Sequence, residues 1–130
     1  MNTISLLHSA LNASNLRQQA ISNNIANAET PGFKAKNVVF EELLKSKLAN
    51  QSSFVGKRTD YRHFEIGRSS SLPVPQIAEN KNIAMQINGN NVDIDEEMTR
   101  LGKNALWYNT VATQLSSEFQ NLSIAIKGRV

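Results

Sequence analysis

Few side chains in this 130-residue sequence have the chemistry and spacing of a catalytic or metal site. His8 and His63 stand far apart, and neither belongs to a pair at metal-ligand spacing. The sequence has no cysteine, which excludes a thiolate metal site, a cysteine nucleophile and a disulfide. Its serines lack a histidine and an acid in a hydrolase arrangement, and no phosphate-binding glycine loop is present. We therefore expect no enzyme activity, no metal and no cofactor.

Four carboxylates are grouped just before the last apolar pattern of the chain: Asp93, Asp95, Glu96 and Glu97. Such a group could bind a cation, but carboxylates at the start of a helix also complement the partial positive charge of its N-terminus. Asp93 followed three residues later by Glu96 fits a capping box. We interpret the group as the start of a helix.

A second cluster mixes cations with aromatic rings in the middle of the chain. This combination would suit nucleic acid, because bases stack on aromatic rings while cations meet phosphates. Its members are Lys45, Lys47, Lys57, Arg58, Arg62, Arg68, Phe54, Tyr61 and Phe64. Acidic residues are interspersed, and the formal net charge of the whole chain is only +3, which favours a solvated segment packed on a neighbour. A nucleic-acid-binding coiled-coil protein remains the alternative.

Two heptad patterns, one near each end of the chain, predict the helices that hold the acidic group and flank the basic and aromatic cluster. Their apolar and small residues alternate by three and four, which is typical of helices that pack along a seam. The N-terminal assembly seam comprises Ile4, Leu7, Leu11, Ser14, Gln18, Ile21, Ile25 and Ala28. The C-terminal assembly seam comprises Ile94, Met98, Leu101, Ala105, Tyr108, Ala112, Leu115, Phe119, Leu122 and Ile126. The patterns predict helices over residues 3–29 and from Asp93 to near Gly128, the second about 50 Å long.

Polar residues interrupt the first seam at Ser14 and Gln18. Such residues weaken an apolar seam, but they fix its register by hydrogen bonding to a partner helix. Each helix alone is marginal in water, and two packed together leave apolar edges uncovered. We therefore expect further copies or other chains to complete a bundle.

The periodicity fades between the two helices, where residues 37–48 could form a short helix or strand and turn residues are frequent. We predict a mainly α fold, in which long N- and C-terminal heptad helices pack as a coiled-coil pair or bundle. The helices (1–30 and 91–130) form one discontinuous domain around a loosely structured insert (31–90) that could be partly β and orders on assembly. No stretch predicts a membrane span, and the first residues do not predict a Sec signal peptide.

The stretch from Ile21 to Lys34 reads ISNNIANAETPGFK. It resembles the N-terminal signature of bacterial flagellar rod, hook and hook-associated axial proteins. The residues that carry the family turn motif are Asn24, Asn27, Thr30, Pro31, Gly32 and Phe33. Glu29 departs from the small polar residue or Asp that is more usual there. The stretches GNNVDIDEEM at 89–98 and NALWY at 104–108 narrow the resemblance to rod proteins of the flagellar basal body.

The resemblance implies a structural subunit of the proximal rod, exported by the flagellar type III apparatus without a Sec signal. Such subunits assemble helically in the periplasm through their terminal helices. The implied partners are copies of the chain, other rod proteins, the rod-to-MS-ring adaptor and export-gate proteins, with no nucleic acid and no direct membrane span. Another rod or hook-basal-body subunit of the same family is a further alternative. Within the motif, we hypothesise that Thr30, Pro31 and Gly32 set the angle between the first helix and the insert.

Overall fold

Two long helices dominate the structure, a computed structural model that describes residues 3–49, 60, 62, 73–79 and 89–128. The elements follow the order α1 (Thr3–Ala26), β1 (Lys36–Val39), α2 (Glu41–Ala49), β2 (Gln76–Glu79) and α3 (Ile94–Lys127). The prediction of a mainly α fold with long terminal helices is confirmed. Within the described part of the chain, no helix is both long and apolar enough to cross a membrane.

The predicted bounds of α3 are confirmed by its caps. The Asp93 carboxylate accepts from the backbone N–H groups of Asp95 (2.9 Å) and Glu96 (3.2 Å), which satisfies two donors of the first turn. Glu96 does not complete a capping box with its side chain but accepts from Arg100 at 2.6 Å. At the other end Gly128 adopts a left-handed conformation (φ 61°), and its N–H donates to the carbonyl of Ile124.

The first helix ends at Ala26, three residues before the predicted end at residue 29. A helix continuing through this region would need Pro31 to donate to the carbonyl of Asn27, and proline has no N–H. The chain instead leaves α1 through tight turns, in which Ala28 N–H donates to Ile25 O at 3.2 Å. The carbonyl of Asn27 accepts from the N–H of Thr30 and from Nδ2 of Asn90, both at 3.0 Å.

Helices α1 and α3 pack against each other in antiparallel orientation. Ser14 on α1 bonds to Asn104 on α3, while Asn24, further along α1, bonds to Glu97, earlier on α3. Ala10, Ala13 and Val111 form a buried core with Phe40, and Leu7, Leu11 and Leu44 pack around it. Arg17 is the only Lys, Arg, Asp or Glu residue of α1, and it pairs with Glu41 of α2. Among the described residues, no ion pair joins α1 to α3.

The first part of the insert is regular and is fixed to the helix pair. Strand β1 pairs with β2 in antiparallel register, from Lys36 opposite Glu79 to Val39 opposite Gln76. Region 37–48, which the sequence predicts as strand or helix, thus contains both. Phe40 lies buried in the core between β1 and α2, and Ser9 of α1 donates to the carbonyl of Pro73 at 3.1 Å. Residues 83–87, where apolar and polar residues alternate loosely in the sequence, lie outside the described residues.

Candidate functional site

Helix α3 contacts α1 with a face displaced by one residue from the predicted C-terminal seam. Glu97, Asn104 and Val111, each seven residues apart, are its buried residues, with exposed fractions of 3%, 4% and 6%. Each immediately precedes a predicted seam residue. Of the seam itself, only Leu101, Ala112 and Leu115 are half-buried. The packing within the chain therefore uses a small part of the predicted seam.

The rest of the C-terminal seam lies on the surface. Met98 and Phe119 are each 54% exposed, and Ile126 is 84% exposed. The exposed seam residues are Ile94, Met98, Ala105, Tyr108, Phe119, Leu122 and Ile126. We call this set the free face of α3. These residues share one heptad pattern with the half-buried Leu101, Ala112 and Leu115 that lie between them, so that together they form an apolar stripe along the helix. Such stripes mark interaction surfaces.

The free face continues past the end of α1. Ile4 and His8, near the start of α1, line a common groove with Leu115 and Phe119 of α3. Because the helices are antiparallel and α1 begins at Thr3, α3 continues from there to Lys127, past the start of α1. The last turns of α3 are thus an apolar overhang.

The N-terminal seam is mostly used within the chain. Ser14, Ile21 and Ala28 are buried, and four further members are half-buried: Ile4, Leu7, Leu11 and Ile25. Gln18 is exposed, yet its side-chain oxygen accepts from Nδ2 of Asn104 at 3.2 Å. Asn104 also donates to the carbonyl of Ser14 (3.0 Å) and accepts from the Ser14 hydroxyl (2.9 Å). Both polar seam residues therefore bond to Asn104 on the opposite helix.

Three buried asparagines hold the backbone where the chain leaves α1. We call Asn24, Asn90 and Asn91 the asparagine clamp. Asn24 binds Lys36 as a neighbouring strand would: its Oδ1 accepts from the N–H and its Nδ2 donates to the carbonyl, both at 2.9 Å. Asn91 Oδ1 accepts from the N–H of Ala35 at 2.7 Å. These bonds fix the start of β1 against both helices.

The third member of the clamp, Asn90, is fully buried beneath the turn. Its Nδ2 lies within hydrogen-bonding distance of three carbonyls, those of Asn27 (3.0 Å), Ala28 (2.7 Å) and Thr30 (3.0 Å). Its Oδ1 accepts from the N–H of Val92 at 2.7 Å. The clamp thus joins the two stretches that carry the family resemblance, one from each end of the chain.

The turn motif surrounds the clamp on its solvent side. Thr30, Pro31 and Gly32 are exposed, and Gly32 has φ 73°, a conformation that favours glycine. Asn27 donates to the carbonyl of Asn23 at 2.8 Å, one turn back in the chain. Phe33 is half-buried and packs on a small core of Ala28, Ala35 and Val92. That Thr30, Pro31 and Gly32 set the angle between α1 and the insert stays a prediction. The asparagine clamp holds the same turn from its buried side, and we expect it to contribute to that angle.

Glu97 lies in the first turn of α3, as the sequence predicts, but its side chain is buried. It is 3% exposed, and its carboxylate accepts from Nδ2 of Asn24 (3.2 Å) and from Arg100 (3.1 Å). Arg100 reaches across to Asn37 at 2.9 Å. The seven-residue spacing of Glu97, Asn104 and Val111 was a signal for this face, but the longer heptad pattern that runs one position later concealed it.

Those residues considered for chemistry that the structure describes do not form a metal site. His8 is exposed on α1, and no group of three or more His, Cys, Asp or Glu residues in the described ranges could hold a metal ion. Of the basic and aromatic cluster, the described members are Lys45 and Lys47 on α2 and the exposed Arg62. The others, with His63, lie outside the described residues.

Comparison with known proteins places this chain in a family. Residues 4–34 match the model of a family described as flagella basal body rod protein. Flagellar basal body rod protein FlgB of Bacillus subtilis strain 168 is 36% identical over 126 residues, which cover 97% of this chain and 94% of the relative. FlgB of Borrelia hermsii is 33% identical, with 96% of each chain covered. FlgB of Aeromonas hydrophila is 31% identical over 92% of this chain and 88% of the relative.

These matches extend the resemblance from the two ends of the chain into the insert, because they cover nearly its whole length. They give no support to the alternative of a nucleic-acid-binding protein.

Proposed function

This chain belongs to the flagellar basal body rod protein family as a homologue of FlgB, and we propose that, as a structural subunit of the rod, it assembles through the free face of α3. It builds the proximal part of the rod in the periplasm, which it reaches through the flagellar type III apparatus. Its partners are copies of itself, other rod proteins, the rod-to-MS-ring adaptor and export-gate proteins.

The observation that carries this proposal is the exposure of the free face over the length of a 34-residue helix. A single chain gains nothing from exposing Met98, Tyr108 and Phe119 to water. Complete burial of a fully exposed apolar side chain contributes about 1.5–3 kcal/mol, and about half of that remains to be gained by side chains that are about half exposed. The chain gains this free energy when the side chains become buried between assembled subunits.

The polarity of the two faces of α3 supports a division between folding and assembly. The buried face carries Glu97 and Asn104, whose hydrogen bonds need matching partners on α1. The free face is apolar and can accept partners with fewer constraints. Polar groups thus specify the pairing within the chain, and the apolar surface is available for pairing between chains.

The test is a charge placed on the free face, in a strain whose own copy of the gene has been replaced. We expect Tyr108→Asp to stop motility and to reduce the rods recovered in purified basal bodies, by about tenfold for each 1.4 kcal/mol by which the charge weakens binding between subunits. The midpoint of thermal unfolding of the isolated chain should change little, because Tyr108 is 45% exposed.

The matched control is Thr113→Asp, which places the same charge at an exposed position on another side of α3. It should leave rods and motility close to those of the parent. Normal rod assembly by the Tyr108→Asp chain would contradict the proposal.

A further inference from the structure

A groove of about 540 Å³ runs beside the α1–α3 contact, on the side away from the free face of α3. Its floor is apolar and includes Ala20 and Ile21 of α1 and Val38 of β1. Trp107 of α3 forms part of its rim and is 48% exposed. A concave apolar floor with an exposed indole can accept a protruding apolar side chain.

The rim of the groove carries an excess of positive charge. Arg17 and Arg100 line it too, but Arg17 pairs with Glu41 and Arg100 with Glu96 and Glu97. Lys36 and Lys103, by contrast, form no ion pair with any part of the chain that the structure describes. The groove therefore suits an acidic segment that also presents an apolar side chain.

The first turns of α3 present that combination on their surface. Asp95 and Glu96 are exposed acids, and Ile94 and Met98 are exposed apolar residues at 48% and 54%. Asp95 and Met98 are three residues apart and so are neighbours on the helix surface. Lys103 and Trp107, on the groove rim, are four residues apart and are neighbours in the same sense.

The acidic turn cannot reach the groove of its own chain. At about 100° per residue, Met98 and Trp107 point to opposite sides of α3. The turn of one molecule can nevertheless face the groove of a molecule beside it. A contact between two different surfaces repeats from copy to copy, so that it builds a ring or an open helix.

We propose that the first turn of α3 of one copy docks in this groove on the next copy, with Asp95 against Lys103 and Met98 against Trp107. Lys36 adds a second cation for the acidic turn, and methionine sulfur packs favourably against an aromatic ring. The two pairings agree in register: they place neighbouring α3 helices parallel, with a stagger of eight or nine residues, about 12–14 Å. This proposal rests on the proposed function and names a second copy as a partner.

The experiment uses the absence of cysteine from the chain. Asp95→Cys and Lys103→Cys are combined in one chain, which is expressed in the replacement strain and oxidised within assembled rods. Eight residues of helix separate the two positions by about 12 Å, beyond the roughly 7 Å limit between the Cα atoms of a disulfide, so that no bond can form within a chain. We expect a ladder of covalent multimers from the double variant and no multimers from either single variant.

The control replaces Lys103→Cys by Thr110→Cys, which is exposed on nearly the same side of α3 but two turns further on. Asp95→Cys with Thr110→Cys should give no ladder. An equal ladder from this pair would overturn the proposed register. Rods that assemble but yield no ladder from the first pair would overturn the docking proposal and leave the proposed function standing. If this chain never enters rods, the proposed function fails, and the docking proposal fails with it.

A charge exchange provides a second readout that needs no oxidation. Lys103→Glu and Asp95→Lys should each impair motility when alone, because every contact then brings like charges together. Coexpression of the two variants should restore motility, since alternating copies make every contact complementary. Equal motility in all three strains would overturn the proposal.

Discussion

Asn24 lies where α1, β1 and α3 meet, and all of its polar side-chain atoms have partners in the chain. Its oxygen accepts from Lys36, and its nitrogen donates to Lys36 and to Glu97. The side chain has an exposed fraction of 0%, so its removal leaves buried groups without those partners. An unpaired buried polar group costs about 1–3 kcal/mol.

We expect Asn24→Ala to lower the free energy of unfolding by about 2–4 kcal/mol, because two backbone groups of Lys36 and one carboxylate oxygen of Glu97 lose a partner. Urea denaturation followed by circular dichroism measures the change. Asn23→Ala is the matched control, since Asn23 is the adjacent asparagine and is exposed. It should remain within about 0.5 kcal/mol of the parent. Equal effects at the two positions would refute the role assigned to Asn24.

The sequence identifies some of these residues but not their partners. Asn24 belongs to the turn motif, and Asn90 and Asn91 belong to the stretch before α3, so both segments are recognisable. That Asn24 bonds to Lys36 and Glu97 depends on the tertiary packing of three elements. No local rule relates residues 73 positions apart, and Glu97 therefore resembles a helix-start acid until the structure places it.

At the scale of elements, Asn104 sets how α1 and α3 lie against each other. The core between them consists largely of small residues such as Ala10 and Ala13, which pack in more than one register. Asn104 bonds to the backbone and side chain of Ser14 and to Gln18. A shift of α3 by one turn would break all three bonds, so that the observed register is favoured.

A double-mutant cycle of Ser14→Ala and Asn104→Ala measures this connection. We expect a coupling energy of about 1 kcal/mol, since the pair shares a buried side-chain hydrogen bond of 2.9 Å. The same cycle of Asn15→Ala with Asn104→Ala is the control, because Asn15 is exposed on α1. Additive effects for the Ser14 pair would show that the bond does not contribute to the register.

The sequence predicts where a helix begins and ends more closely than it predicts which side of the helix is buried. Asp93 and Gly128 define α3 because capping is local chemistry. The heptad pattern also indicates a seam, but it cannot say whether the partner is α1 or another chain. Seven of its ten residues remain exposed in the single chain, and the packed face begins one residue earlier. Whether the seam packs against α1 or against another chain depends on the relative stability of the two contacts, which a sequence pattern does not contain.

At the scale of the whole molecule, the chain is a helical hairpin with arms of unequal length, 24 residues in α1 and 34 in α3. The overhang of α3 has little burial to slow its opening, because Ser123 is its one half-buried residue between 121 and 127 and the others are exposed. Local stability falls where buried contacts are few.

Amide hydrogen exchange should reveal this gradient in the isolated chain. We expect residues 121–127 to exchange about 100-fold faster than residues 104–112, equivalent to about 2.7 kcal/mol less local stability. In purified basal bodies the difference should shrink, because partners then cover the overhang. Uniform protection along α3 in dilute solution would contradict this picture.

The absence of ion pairs between α1 and α3 among the described residues has a consequence for life at different salinities. Dissolved ions weaken interactions between exposed charges, with a screening length of about 10 Å at 0.1 M salt. They barely affect apolar packing or hydrogen bonds between buried neutral groups. The fold of each subunit should therefore tolerate brackish or saline surroundings. Docking through Asp95 and Lys103 would weaken first, so that added salt should loosen joints between subunits before it unfolds any one of them.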